Sequence, residues 1–182
     1  MRPFVIVYGT QGTDEEDEWA LALARAYAHA WWYRGNGRAV IVADTELIPQ
    51  SGAYPNLILL GGAKMNAVTA RLEPKLPIKM TDEGVIAGTR LIRGKDLAAK
   101  FVYPNPEHPD TLVLVQEGQS LKGFKRLFSF TEIYSGGGFP DWMVWGDEVK
   151  LMGLGGARAM GFFDMNWRFS ADLTFWSEEL NR

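Results

Sequence analysis

Phe4-Val5-Ile6-Val7-Tyr8-Gly9-Thr10-Gln11-Gly12-Thr13 is the stretch whose reading decides the fold. Five apolar residues followed by a Gly/Thr-rich loop describe a buried strand and a tight turn. Thr13 or Asp14 is placed to cap a helix, and the acidic run from Asp14 to Glu18 suits the positive end of its dipole. That helix is predicted to reach about Arg34, where Gly35-Asn36-Gly37 stops it.

Outward from this start, Ala39-Val40-Ile41-Val42-Ala43 reads as a second strand ending at Asp44, and Leu57-Ile58-Leu59-Leu60 as a third ending at Gly61-Gly62. A helix of roughly ten residues should follow and stop before Pro74. Apolar strands separated by crossovers imply parallel pairing with right-handed connections. The expected fold class is therefore α/β: a three-layer Rossmann- or flavodoxin-like open sheet, mainly parallel, with some antiparallel strands in the C-terminal half. There, residues 85–92 read as a hairpin, 100–103 and 111–116 as strands, and 120–134 as a helix. Residues 142–145 read as a strand with 159–163 as its partner, and the tail 173–180 is amphipathic at best. One domain over residues 1–182 is expected, with a weak internal break at Gly136–Gly138. The abrupt start suits equally a complete chain and a domain excised from a larger protein.

The composition narrows the function classes. With no cysteine, disulfides, thiolate metal sites and cysteine nucleophiles are excluded. A formal net charge of −3 and the lack of a Lys/Arg-rich run argue against nucleic acid. No apolar stretch approaches the ~20 residues of a membrane span, and no signal peptide is visible. Seven Trp, ten Phe and six Tyr supply either a large aromatic core or a surface for docking or sugar stacking. The first helix carries Trp19, Leu23, Tyr27 and Trp31 on one face and Ala20, Ala24 and Ala28 on another. Its polar stripe is narrow, so cover on more than one side is expected, from another element or a partner.

Ligands of open α/β sheets bind beyond the carboxyl ends of the strands. The candidate ligand-binding residues are accordingly Gly9, Thr10, Gln11, Gly12 and Thr13, then Asp44, then Gly61, Gly62 and Asn66. The first loop resembles the phosphate loop of flavodoxins, which uses backbone N–H groups and a helix N-terminus. Five consecutive carboxylates at that helix start would repel a dianion, and neither G-x-G-x-x-G nor G-x-x-x-x-G-K-[ST] occurs. No cofactor is therefore assigned. No catalytic set is assigned either. G-x-S-x-G is missing, Ser120 reads as a helix cap and Ser135 as loop, His29 lies on the exposed helix stripe, and His108 sits in a proline-stiffened turn. Two distant histidines give no zinc motif, and adjacent carboxylates do not match a Ca²⁺ loop, so no metal is assigned. Acid pairs such as Asp141 and Asp164 could serve glycoside chemistry only at about 5–10 Å separation.

Several segments, in order, resemble a region of large bacterial proteins of the prolyl-oligopeptidase/esterase type. They are Pro3–Thr10, Asn56–Gly62 with Asn66, Leu76-Pro77-Ile78, Tyr103–Pro106, Pro140–Val144, and Gly161–Asp164 with Trp167. The resemblance covers about residues 3–168. It implies an accessory module, secreted or in the cell envelope, beside an α/β-hydrolase domain that would hold the catalytic serine. It carries no catalytic residue onto this chain. Asn56–Asn66 also looks like the turn of surface-layer and cell-wall-binding repeats. The leading expectation is thus a non-catalytic module docking on another domain or subunit through an aromatic surface, with self-association left open. The alternatives are a small-molecule or nucleotide binder using the loops after the first and third strands, and a carbohydrate or cell-wall binder using exposed tryptophans.

Overall fold

In the computed structural model, which describes residues 3–47, 56–130 and 138–180, the opening run forms β1 (Phe4–Tyr8) and leads through the glycine loop into α1 (Asp14–Gly35). A capping box starts α1. The Thr13 hydroxyl accepts from the Glu16 N–H, and the Glu16 carboxylate accepts from the Thr13 N–H at 2.9 Å. Asn36, in the left-handed conformation, ends it. Then come β2 (Val40–Ala43), β3 (Asn56–Leu60) and α2 (Ala67–Leu72), which tightens into a 3-10 turn at Glu73–Lys75. Pro74, inside that turn, cannot extend an α-helical ladder, so the helix is shorter than the ten residues expected.

The second half is a succession of strands. β4 (Ile78–Thr81), β5 (Gly84–Ala87) and β6 (Arg90–Arg93) form a small antiparallel sheet. β7 (Ala98–Asn105) and β8 (His108–Gly118) form a long hairpin. After α3 (Leu121–Lys125) come β9 (Trp142–Trp145), α4 (Val149–Met152), β10 (Ala157–Phe163) and β11 (Phe169–Trp176). The helix expected over 120–134 is α3 plus a 3-10 turn at Arg126–Ser129; residues 131–134, like the 136–137 part of the suggested break, lie outside the described residues. The tail read as weakly amphipathic contains most of β11.

The main sheet runs β11-β10-β9-β7-β8-β3-β1-β2. Only β2, β1, β3 and β8 pair in parallel; β8–β7, β7–β9, β9–β10 and β10–β11 are antiparallel. Strand accounts for 39% of the described residues and helix for 29%. The expectation of a Rossmann- or flavodoxin-like α/β fold is therefore corrected. This is a predominantly β, mixed and mostly antiparallel sheet, with a second small sheet. The physical reason lies in the connections. Among the described residues a long helix bridges β1 to β2, whereas β7 to β8 and β10 to β11 are joined by short turns that make antiparallel hairpins, and the short helices α3 and α4 before β9 and β10 do not carry those strands into parallel crossovers.

The two faces of the sheet are covered differently. Along β1, Ile6 faces α1, where it packs with Ala20, Leu23, Ala24 and Tyr27; Phe124 of α3 and Val149 of α4 extend that layer. Val5 and Val7 face the other way, onto Val68 and Leu72 of α2 and Ile78, Val85 and Ile92 of the small sheet. A β-sheet thus stands where a three-layer α/β fold would put helices. Trp142 and Trp145 alternate between the two cores and are fully buried, so much of the aromatic content is core.

Candidate functional site

The loops after β1, β2 and β3 converge, and they bring all nine predicted ligand-binding residues to one end of the parallel strands. Asn66 lies at the centre, with none of its surface exposed. Its side-chain N–H₂ donates to the Val7 carbonyl at 3.2 Å and the Leu60 carbonyl at 3.1 Å. Its Oδ1 accepts from the N–H groups of Val68 and Thr69, capping α2. One side chain therefore joins two parallel strands and a helix start. Asp44, also buried, ties in β2: its two oxygens accept from the Thr10 hydroxyl and the Ala67 N–H, each at 2.6 Å.

Four backbone donors of the first loop have partners within the protein. Gly9 N–H donates to Leu60, Gln11 N–H to Met65, Gly12 N–H to the Asp17 carboxylate and Thr13 N–H to Glu16. Burial raises the Asp17 carboxyl above its usual range against the Gly12 bond that lowers it, and the charges of Asp44, Glu16 and Asp14 add to the rise. Between β1 and β3, where open parallel sheets offer a crevice, the chain itself fills the space. A methyl on Gly9 would come within 2.2 Å of the Met65 carbonyl oxygen. Gly61, at φ +108°, makes the turn out of β3, and its carbonyl accepts from the Thr69 hydroxyl.

Beside this knot, between the loop after β3 and the β4–β5 turn, opens a cavity of about 410 Å³. Gly62, Met65, Glu73, Met80, Gly118 and Gln119 line it, and Lys64 and Asp82 pair at 2.6 Å on its rim. Glu117, at the end of β8, adjoins this lining. Alternation along β8 sends Gln116 to the α1 side, where it accepts from the Tyr27 hydroxyl at 2.8 Å, and Glu117 to the opposite side. Only 3% of Glu117 is exposed, and its Oε1 has no hydrogen-bond partner. Burial pushes its carboxyl up to about 8, and the nearby Glu73 charge pushes the same way. Gly62 stands directly against Glu117 Oε2: a side chain at residue 62 would begin 2.7 Å from that oxygen. Sequence reasoning missed Glu117. The available signal was a polar pair, Gln116-Glu117, closing an otherwise apolar strand.

Other sequence candidates have structural partners. Ser120 caps α3 and donates to Asp96 at 2.7 Å, while His108 is exposed at the first position of β8. Ser135 lies outside the described residues. Asp141 accepts from the Phe163 N–H, and Asp164 from the N–H groups of Asn166 and Arg168. Among the described residues no group of three or more His, Asp or Glu is arranged to hold a metal, and no helix is long and apolar enough to cross a membrane. Trp19 and Trp31 are half-buried, and Trp32 is 62% exposed next to exposed Tyr33.

No family model matches the chain. Among curated proteins it is similar to an uncharacterized secreted protein of Arthroderma benhamiae, with 30% identity over 123 residues. That match takes in 66% of this chain and 13% of the relative, so the chain spans about an eighth of the relative's length. The description as Rossmann-like falls with the topology. The hydrolase or esterase association finds no support in these comparisons.

Proposed function

We propose that the chain is an interaction module that docks against another part of a longer secreted protein through the uncovered face of β10 and β11. The observation that carries this reading is the state of that face. Met160 and Phe175 pair directly across the two strands, and Phe162 and Leu173 are their neighbours two residues along on the same side. This is the α1 side of the sheet, yet Phe162, Leu173 and Phe175 remain 44–48% exposed. The helices stop short of it. β11 is also an edge strand of eight residues with Asp172 as its only charge, a length and composition that invite further cover. Leu151 and Met152 of α4 add exposed apolar surface close in sequence to β10. The similarity to one-eighth of a secreted protein supports a partner supplied by the same polypeptide.

Hydrogen exchange on the full gene product and on the 182-residue chain tests the proposal. The β11 amides should exchange at least about tenfold more slowly in the full product. The double variant Phe162→Glu/Phe175→Glu should remove that protection while leaving the Tm of the short chain unchanged, because both side chains are half-exposed. Equal exchange of β11 in the two proteins refutes the docking role.

A further inference from the structure

A cavity of about 360 Å³ lies on the small-sheet side of the main sheet, opposite the exposed β10–β11 face. Trp142 of β9 lines it; the residue is 1% exposed, and its indole N–H has no acceptor among the described residues. Phe169 and Trp176 of β11 form one wall, and the β5–β6 turn from Ala87 to Arg90 forms the other. The turn reaches the strand because Gly88 has no side chain: a methyl there would come within 2.8 Å of the Phe169 ring. Phe169 meets Trp142 edge to face, with ring centroids 5.2 Å apart, and the Arg90 guanidinium lies 4.7 Å from the centre of the Trp176 ring.

Most polar side chains of this lining have no protein partner. Arg90 makes no ion pair or side-chain hydrogen bond among the described residues, and the hydroxyls of Thr89 and Ser170 make no hydrogen bond there either. Only the Thr174 hydroxyl is spent, on the Ser170 carbonyl at 2.6 Å. No carboxylate lines the cavity, and Asp172 of β11 lies outside it without pairing to Arg90. The one charge is therefore positive, and it rests on an indole ring rather than on a counter-ion. A guanidinium fork matches a carboxylate, an aromatic surface matches the apolar face of a ring, and unspent hydroxyls match other hydroxyls. An acidic sugar carries all three features in one molecule, whereas an aromatic acid carries only the first two. The volume suits a small organic molecule.

We propose that this cavity binds a hexuronate, a sugar ring bearing a carboxylate. Arg90 holds the carboxylate, Phe169 and Trp176 pack against the ring, and the Thr89 and Ser170 hydroxyls bond to the sugar hydroxyls. The site uses neither the docking face nor a docking partner, so the 182-residue chain alone is the test material.

The probe is methyl glucuronide, against methyl glucoside, its neutral counterpart, and benzoate, an acid without hydroxyls. Titration of protein carrying ¹⁵N-labelled tryptophan reads each ligand at the indole N–H signals, with Trp32 on α1 as the internal reference. The Trp142 and Trp176 signals should move with the glucuronide and give a Kd of about 1–10 mM, at least about fivefold tighter than for the glucoside or benzoate. Arg90→Gln, at an exposed side chain, should keep the parent's Tm and bind the glucuronide no better than the glucoside. The proposal is overturned if either signal stays still at about 50 mM glucuronide, if glucuronide and glucoside bind equally, if benzoate binds as tightly as the glucuronide, or if Arg90→Gln binds as the parent does.

Discussion

Removing the Asn66 side chain tests whether the convergence of loops at the end of the parallel strands is the structural knot described. In Asn66→Ala, α2 loses the cap on Val68 and Thr69, at a typical cost of about 1 kcal/mol. The Val7 and Leu60 carbonyls lose a buried donor each, at about 1 kcal/mol apiece; Leu60 keeps the Gly9 N–H, which limits its loss. The void left by a fully buried amide adds about 1 kcal/mol more. The total is about 4 kcal/mol, a large fraction of the ~5–15 kcal/mol of an ordinary domain, and equivalent to a fall in Tm of about 8–16 °C. Asn66→Asp refines the test. It keeps the cap acceptor but points an oxygen at two carbonyls. Its carboxyl should be raised, so the variant should regain stability as pH falls and the acid supplies one donor. Urea unfolding of both variants between pH 4 and 8 is the assay. A loss under about 1 kcal/mol in Asn66→Ala, or a pH-independent deficit in Asn66→Asp, refutes the reasoning.

Three other expectations concern single groups. The Glu117 carboxyl is raised from 4.5 to about 8 in the folded protein, so the folded state holds a proton that the unfolded state has lost. Its contribution is fully present below pH 4.5, falls as pH rises to about 8 and is flat beyond, with an upper bound of about 5 kcal/mol. Urea midpoints should trace that decline in the parent and not in Glu117→Gln. Gly9→Ala forces a methyl against the Met65 carbonyl, backbone against backbone, and should cost about 3 kcal/mol in chemical unfolding. Lys64→Ala should leave the Tm unchanged, because the rim ion pair is solvent-screened on both sides.

Local chemistry was legible wherever one residue type had one job. The helix start at Thr13 or Asp14, the stop at Gly35-Asn36-Gly37 and the Ser120 cap all follow from the letters, and the structure settles the first on Thr13, whose pairing with Glu16 sequence reasoning missed. The convergence of Gly9, Asp44, Gly61 and Asn66 followed from strand ends alone. The direction of the sheet did not. Apolar strands such as Leu112–Val115 read the same whether parallel or antiparallel, and the partner of β8 on each side depends on contacts far apart in sequence. The small sheet was half visible, as the 85–92 hairpin, but nothing in Lys79-Met80-Thr81 announces a third strand. Glu117 was hidden for a related reason: a carboxylate beside glycines reads as a solvated loop until its neighbours in space are known.

β8 is the hinge pin of the sheet, flanked by β3 in one sense and by β7 in the other. The β7 side closes through a tight turn, whereas β3 can reach β8 only after α2, the whole small sheet and β7 have been threaded between them. Closing so long a segment loses entropy before any contact rewards it. The seam of Leu57–Leu60 against Val113–Gln116 is therefore expected to zip late as the protein is made and to part first under tension. A chain pulled from its two ends should yield there, in one step, leaving the antiparallel half standing.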